Sequence, residues 1–355
     1  MNRLDRYVSR HVLSAIVIVI LVIVGLSVLI AVVDQMPDLN TGYQFSNALY
    51  YVGMTVPRRL YDHMPLCALI GCLMGLGALA SSSELTVMRA AGVSTLRIIS
   101  SVLKPVMLVV VVQMILGEYV VPRAELAAQS YRTLAVAEGR NGRSGLDHGF
   151  WHREGRTFLY VQAVGTNDDI YGVTRYQFDE NWLLKRSDFA KKGTYTGDGW
   201  LLETIRGTRF LGDRTVEVQE DEEYWRSGMT PALLATLIMP PSRLSISGLY
   251  AYSNYLEQQG LSAAEYEVAF WSKMLQPLSL TGLMLVAVSF IFGPLRSVTV
   301  GQRLIAGVLV GVSFKLIQDV LGPASTVYDL PPLIGVLLPI LAGYLIGWRL
   351  MSRAG

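Results

Sequence analysis

Cysteine, histidine and charge are all scarce in this chain. Its 355 residues include two cysteines and four histidines, and charged residues make up 16%. Cys67 and Cys72 lie in one apolar run. Five helical residues apart, they point to different faces, so no disulfide framework is expected, and no CxxC pair exists. There is no H-E-x-x-H zinc motif and no G-x-S-x-G nucleophile elbow. No G-x-x-x-x-G-K-[ST] loop is present to cradle nucleotide phosphates. The net charge of +2 gives no bulk electrostatic case for nucleic acid. These absences exclude most soluble enzyme classes and a P-loop ATPase site within the chain.

Apolar sequence takes their place. Hydrophobic residues reach 52%, well above a soluble protein of this length. A helix needs about 20 apolar residues to cross the hydrocarbon core. Residues 12–33 satisfy this after Arg3, Arg6 and Arg10, and lack a small-residue cleavage signal, so they read as an uncleaved span. Further runs follow at 64–83, 98–117, 274–295, 304–320 and 330–348. Basic residues set the expected orientation. Arg3, Arg6 and Arg10, then Arg89, Arg97 and Lys104, then Arg296 and Arg303, then Arg349 and Arg353 share one side. Asp34, Asp38, Asp62 and Asp329 lie on the other, where Arg58 and Arg59 are the exceptions. Both termini are therefore expected in the cytoplasm. Span two carries a Gly71-x-x-x-Gly75 pair that permits close helix contact, read first as packing within the chain.

Between spans three and four the periodicity changes. RTFLYVQAV, DIYGVTRYQF, WLLKRSDFA, WLLETIRG and RTVEVQE alternate with period two and are separated by Gly, Asn and Asp. The expected architecture is an α-helical membrane protein with six transmembrane helices, three and three. An all-β domain of sandwich or jelly-roll type is inserted between them. The divisions are 1–123, 124–243 and 244–355.

Four places merit chemical attention. His148 and His152 with Glu154 form a loose metal candidate, for which a solvated strand face is the better reading. Lys315 and Asp319 stand at i, i+4 inside span five. Buried intramembrane charge is functional by default, and mutual neutralisation is its equal rival. Arg58, Arg59, Arg123 and Arg132 gather at the outward membrane surface, where guanidinium forks suit phosphate or merely anchor headgroups. Lastly, SSSELTVMRAAGVS (81–94) sits between two spans and reads as a short helix at about 82–92. Ser81-x-x-Glu84 resembles a capping box, and Gly92 can close the helix with a positive φ. Leu85, Met88 and Ala91 fall on one face.

The segments LDRYVSRHVL (4–13), VVDQM (32–36), SELTVMRAAG (83–92), GEYVVPRAE (117–125), LSISGLYAYSNYLEQQG (244–260), FWSKMLQP (270–277), SFIFGPLRSVTVGQR (289–303) and PPLIGVLLP (331–339) carry a resemblance. Together they make the chain similar to the LptF/LptG permease family of the lipopolysaccharide export ABC transporter of Gram-negative bacteria. GPLRSV resembles the LptG branch. The resemblance implies an inner-membrane location, a periplasmic jelly roll, and a heterodimer with LptF. It also implies an LptB dimer binding ATP and Mg at the cytoplasmic face, and LptC beside the membrane. No cofactor is then expected in this chain. SELTVMRAAG becomes an ATPase-coupling helix through Glu84, Leu85, Met88, Arg89 and Gly92. Glu84 would face a basic residue of LptB, and Met88 would fill an apolar pocket there. The lipid cavity is implied to lie along spans one, two and five, with Arg58, Arg59, Arg132 and Lys315 as candidates for lipid phosphate. Where the family carries cations near the end of span one, this chain has Asp34 and Asp38, which shifts the expectation to Arg58 and Arg132.

Two other functions compete. A lipoprotein-release permease usually places one span before its domain, and here three precede it. A membrane-anchored lipid-modifying enzyme needs a convergent nucleophile or acid–base set, and none is found.

Overall fold

The computed structural model describes residues 3–39, 43–139, 149–165, 169–212, 214–231, 233–234, 239–258, 262–292, 299–328 and 330–354. His148, Asp329 and the GPLRSV segment lie outside them. The chain divides into two compact units. One comprises Met1–Leu29, Val56–Val121 and Ser245–Gly355, and the other Ile30–Thr55 and Pro122–Leu244.

The first unit is helical. Helices α1 (Arg3–Asp34) and α2 (Phe45–Ser81) run through the expected first two spans. The short α3 (Glu84–Ala90) and then α4 (Thr95–Ile115) follow. A π-helical turn at Leu116–Val120 joins α4 to α5 (Val121–Gly139). The second unit takes the end of α1, the start of α2 and, from Pro122 on, α5. After the β domain come α6 (Ile246–Gln258), α7 (Ala264–Met274), α8 (Gln276–Phe292), α9 (Val300–Val327) and α10 (Pro332–Ala354). Five stretches are long and apolar enough to cross a membrane, and α7 with α8, bent by 53°, make up to a sixth. At ~1.5 Å per residue, the 37 residues of α2 extend about 55 Å, far beyond a hydrocarbon core of ~30 Å. The first part of α2 therefore continues past the membrane, and Ile30–Thr55 group with the second unit rather than with the spans.

The membrane core joins Val8, Val12 and Ile16 of α1 to Leu69, Cys72, Leu73 and Leu76 of α2, Ile98, Val102 and Val106 of α4, and Leu280, Met284 and Ala287 of α8. Both cysteines are free and buried. The glycine pair packs α1 on α2 inside the chain. A Cβ on Gly71 would lie 2.5 Å from the Cα of Ile16, and one on Gly75 would lie 2.9 Å from the Cα of Val12. Because backbone, not a flexible side-chain tip, is in the way, Gly71→Val will force the helices apart. We expect it to destabilise the chain by about 1–3 kcal/mol or more through overpacking. It will lower the thermal transition in detergent, while Gly25→Val, where a Cβ meets nothing within 4 Å, will not.

In the second unit six described strands form one antiparallel sheet in chain order, β1 to β6. They are Phe150–Glu154, Thr157–Val164, Asp169–Phe178, Leu184–Tyr195, Gly199–Phe210 and Thr215–Arg226. This is the inserted β domain, built as a meander; no Greek-key crossing occurs among the described residues. One face is apolar, with Leu159, Val161, Val173, Ala190, Leu202 and Ile205 around a fully buried Trp200. The Trp200 indole N–H donates to the Met229 carbonyl at 2.8 Å. The buried interior also holds a charge network. Arg175 faces its cross-strand neighbour Asp188 and bonds it, and reaches Glu223 at 2.6 Å. Arg186 reaches the same Glu223 at 2.7 Å. Each buried carboxylate thereby has an arginine beside it, although Asp188 Oδ1, 3.4 Å from Arg186 Nε, has no hydrogen bond. Glu154, read above as a possible metal ligand, instead accepts from Ser227 Oγ at 2.8 Å and from the Gly228 N–H at 3.0 Å. Among the described residues no group of three His, Cys, Asp or Glu side chains could hold a metal.

Candidate functional site

The short helix α3 is built differently from the capping-box expectation. Its N-cap is Ser83, in the left-handed region at φ 62°, with no side-chain cap bond. Ser81 Oγ turns back to the Ala78 carbonyl at 2.8 Å. The Glu84 carboxylate instead accepts from Ser82 Oγ at 3.0 Å. The sharp turn out of α2 needs a left-handed residue, and that geometry carries the serine hydroxyls away from the helix N–H groups. The helix ends as expected at Gly92, φ 85°. The Val93 N–H reaches the Met88 carbonyl and the Gly92 N–H the Arg89 carbonyl, both at 3.0 Å. This is a Schellman closure.

The face of α3 corrects a second expectation. Leu85 and Met88 are 4% and 8% exposed and belong to the core with Val8, Ile98 and Val102. They anchor α3 to its own chain, so Met88 is not available to fill a pocket elsewhere. The outward residues are Thr86, Val87, Arg89, Ala90, Ala91 and Gly92, with Glu84 half-buried at the rim. Val87 is 66% exposed, and Leu96 on the first turn of α4 is 71% exposed. Sequence reading missed these two. The available signal was that Leu85 and Met88, three apart, complete one apolar stripe and leave Val87 outside it. Nearby, Asp5 of α1 holds Arg97 at 3.4 Å and Lys104 at 3.8 Å. Cations expected to face the cytoplasm are thus tied to the N-terminal helix.

The four candidate phosphate cations do not behave alike. Arg132 of α5 pairs with Asp38 at 2.5 Å, donates to Gln35 Oε1 at 3.1 Å and lies over the Tyr51 ring. Its charge is matched by an aspartate at the end of the first span. Within the same unit Tyr43 is buried, and its hydroxyl donates to Gln35 at 3.1 Å. Burial pushes the Tyr43 phenol up to about 12, so it stays a neutral donor. Arg59 donates to the carbonyl and hydroxyl of Ser27 on α1 at 3.4 and 3.2 Å, which ties the two helices. Arg58 is half-buried on α2. Lys315 and Asp319 form an ion pair at 3.1 Å, but their side chains are 67% and 56% exposed. The chain's own helices therefore leave the pair uncovered. The pair stands on an outward face of α9 with exposed Leu309, Val312, Leu316 and Val320.

An exposed pair contributes at most about 1 kcal/mol. Lys315→Ala and Asp319→Ala are thus each expected to leave the thermal transition of the solubilised chain within a few degrees. Exchanging the two residues should do likewise. A large loss of stability in either alanine variant would show that the pair is structural after all.

Comparison with known proteins places this geometry. The profile of the lipopolysaccharide export system permease family LptF/LptG matches residues 6–353. The permease protein LptG of Haemophilus influenzae is 35% identical over 355 residues, covering 99% of each chain. The Escherichia coli K12 protein of the same name is 35% identical over 356 residues, covering 99% of this chain and 98% of its own.

Proposed function

The chain belongs to the LptF/LptG family of lipopolysaccharide export permeases, and from that premise we propose how its residues serve export. It is a permease subunit of lipopolysaccharide export. The observation that carries the reading is the match along nearly the whole chain, together with three apolar helices before the sheet. That order disfavours the lipoprotein-release alternative.

In this reading ATP and Mg bind a partner ATPase, an LptB dimer, at the cytoplasmic face. α3 docks there through Val87 and Leu96, with Glu84 and Arg89 as charged flanks. Leu85 and Met88 transmit the push into the membrane core, because they pack on α1 and α4. LptF completes the permease as the second half of a heterodimer, and LptC lies alongside. The termini face the cytoplasm and the β domain the periplasm. Apolar side chains exposed along α1 (Ile18, Leu21, Val22, Leu29, Val33) and α9 meet lipid chains or the partner's helices. A shielded route is required by magnitude. Exposing one acyl chain of about a dozen carbons to water costs on the order of 10 kcal/mol at ~0.8 kcal/mol per CH₂. An ion pair does not face lipid without cost, so Lys315 and Asp319 mark a hydrated or protein-covered stretch where a lipid phosphate can approach. Arg58 is the second phosphate candidate. Arg59, bonded to Ser27, and Arg132, paired with Asp38, serve it indirectly.

The test is reconstitution. The chain, co-assembled with LptF, LptB and LptC in proteoliposomes loaded with lipopolysaccharide, should deliver lipid to a soluble periplasmic acceptor only when ATP is hydrolysed. ATP hydrolysis without delivery in a fully assembled complex would refute the reading.

A further inference from the structure

Three helices of the first unit are interrupted, and their interruptions meet on one side chain. In α2, Pro65 has no N–H to give the Tyr61 carbonyl one turn earlier. Gln113 of α4, itself buried, supplies the missing bond: its Nε2 donates to the Tyr61 carbonyl at 3.0 Å. Just past Gln113 the helix opens into the π turn Leu116–Val120. Gly117 in that turn lies against the Tyr61 ring, where a Cβ would come within 2.6 Å of Cε2. The Tyr61 hydroxyl donates to Gln276 Oε1 at 2.6 Å. Gln276 opens α8 directly after the 53° bend. Lys273, in the last turn of α7 and buried, holds its Nζ 5.2 Å from the centre of the same ring. Glu118 of the π turn accepts from the Ile246 N–H at 2.8 Å and from Ser247 Oγ at 2.5 Å. The turn therefore also holds the start of α6.

A helix that only had to span the bilayer would need none of these breaks. A π turn and a proline-released carbonyl are places where the i→i−4 ladder is already open, so bending there breaks no further backbone bond. We propose that Tyr61 is the pin of a hinge about which α6 and α7 swing relative to α8 and α10. The swing occurs at Leu275, and the π turn and the Tyr61 carbonyl absorb the movement. Backbone bonds from the Leu275 N–H to the Trp271 carbonyl and from the Ser279 N–H to the Leu275 carbonyl, both 2.9 Å, act as the pivot. The joint's tilt is set by side-chain bonds, Tyr61 to Gln276 and Gln113 to Tyr61, which exchange without unfolding a helix. Hinge motions of this kind run on the microsecond to millisecond scale. The inference stands on this geometry and does not depend on the transport assignment.

The full chain in lipid nanodiscs provides the test. Both native cysteines are buried, so spin labels attach at introduced ones. A pair at the exposed positions Tyr250 on α6 and Leu341 on α10 reports the hinge. A pair at the exposed positions Leu278 on α8 and Leu345 on α10 is the reference. Pulsed dipolar spectroscopy should give a hinge-pair distance distribution roughly twice as wide as the reference pair, as for two populated tilts. Tyr61→Phe should shift that distribution while leaving the reference pair and the thermal transition in place. Gln276→Leu cuts the same bond from the other side and should reproduce the shift, which keeps the test open if Tyr61→Phe folds poorly. A hinge pair as narrow as the reference overturns the proposal. So does a variant that alters both pairs equally, since Tyr61 would then be ordinary packing.

Discussion

On the docking proposed for α3, Val87→Asp will detach the permease from its partner ATPase while leaving the permease folded. Val87 projects from α3 with two-thirds of its surface open, so a charge there disturbs nothing within the chain. In a docked complex it would bury an unpaired carboxylate at an apolar anchor. Losing such an anchor costs about 2–4 kcal/mol, a weakening of roughly 30- to 800-fold. Co-purification of LptB with the tagged permease should fall accordingly, and lipid export should stop. Leu96→Asp should act in the same direction. Glu84→Gln keeps the hydrogen bond from Ser82 and removes a charge at the rim, so it should weaken capture by less than about tenfold. A compensating charge change in LptB should restore part of it. Met88→Asp is no substitute, because it places the charge in the core with Val8 and Ile98 and unfolds the region. Capture of LptB by Val87→Asp and Leu96→Asp at the level of the parent would mean that α3 docks by another face, or not at all.

The second large effect concerns stability of the β unit. Asp188→Ala leaves Arg175, 1% exposed, with part of its charge unanswered in the interior. Breaking one partner of such a buried pair costs about 3–5 kcal/mol. For a unit of this size that corresponds to a fall of roughly 6–20 °C in the thermal transition. Replacing Arg175 and Asp188 together, as Arg175→Met with Asp188→Leu, should recover part of the loss, because no unpaired charge remains at that site. Glu223 and Arg186 still answer each other at 2.7 Å. The network also sets an acid limit. Burial by itself would raise the Glu223 carboxyl, but its bonds and attraction to Arg175 and Arg186 outweigh this and hold it below the usual value of 4.5. A depressed carboxylate stabilises the fold fully above the unfolded value and loses that contribution as pH falls through the folded one. Glu223's contribution to the stability of the β unit should thus be lost as pH falls below 4.5, and that loss should be absent in Glu223→Gln. Burial raises the neighbouring Asp188 carboxyl, which therefore adds nothing to this acid loss. A transition in Asp188→Ala unchanged within a degree or two would show that water reaches Arg175.

Several elements were legible because their signals are local. An apolar run of about 20 residues has one stable fate in a membrane, and alternation with period two has one stable fate in a sheet. β2 to β6 followed from that alternation. β1, five residues long, was legible only as a strand face at His152 and Glu154, because its extent is defined by pairing with β2. Gly92 was readable since a positive φ at a helix end selects glycine. The Ser81 cap was misread, since a capping box and a left-handed turn use the same residue types.

What the sequence determined by itself was the class: a multi-span membrane permease with a β insertion, carried by the hydropathy runs, the alternation and the family segments. What only the tertiary structure decided was which side of each element is spoken for. Leu85 and Met88 were apolar residues on a short helix until α1 and α4 covered them, leaving Val87 outside. Arg132 was a free-looking cation until Asp38, 94 residues away, paired with it. Lys315 and Asp319 were charges within a span until α9 set them on a face that the chain's own helices leave open. Tyr61 was an aromatic in a span until Gln113, Gly117 and Gln276 converged on it. The physical reason is common to all four. Periodicity and hydropathy fix what a segment becomes, while burial and charge pairing depend on neighbours from distant parts of the chain, which no local pattern encodes.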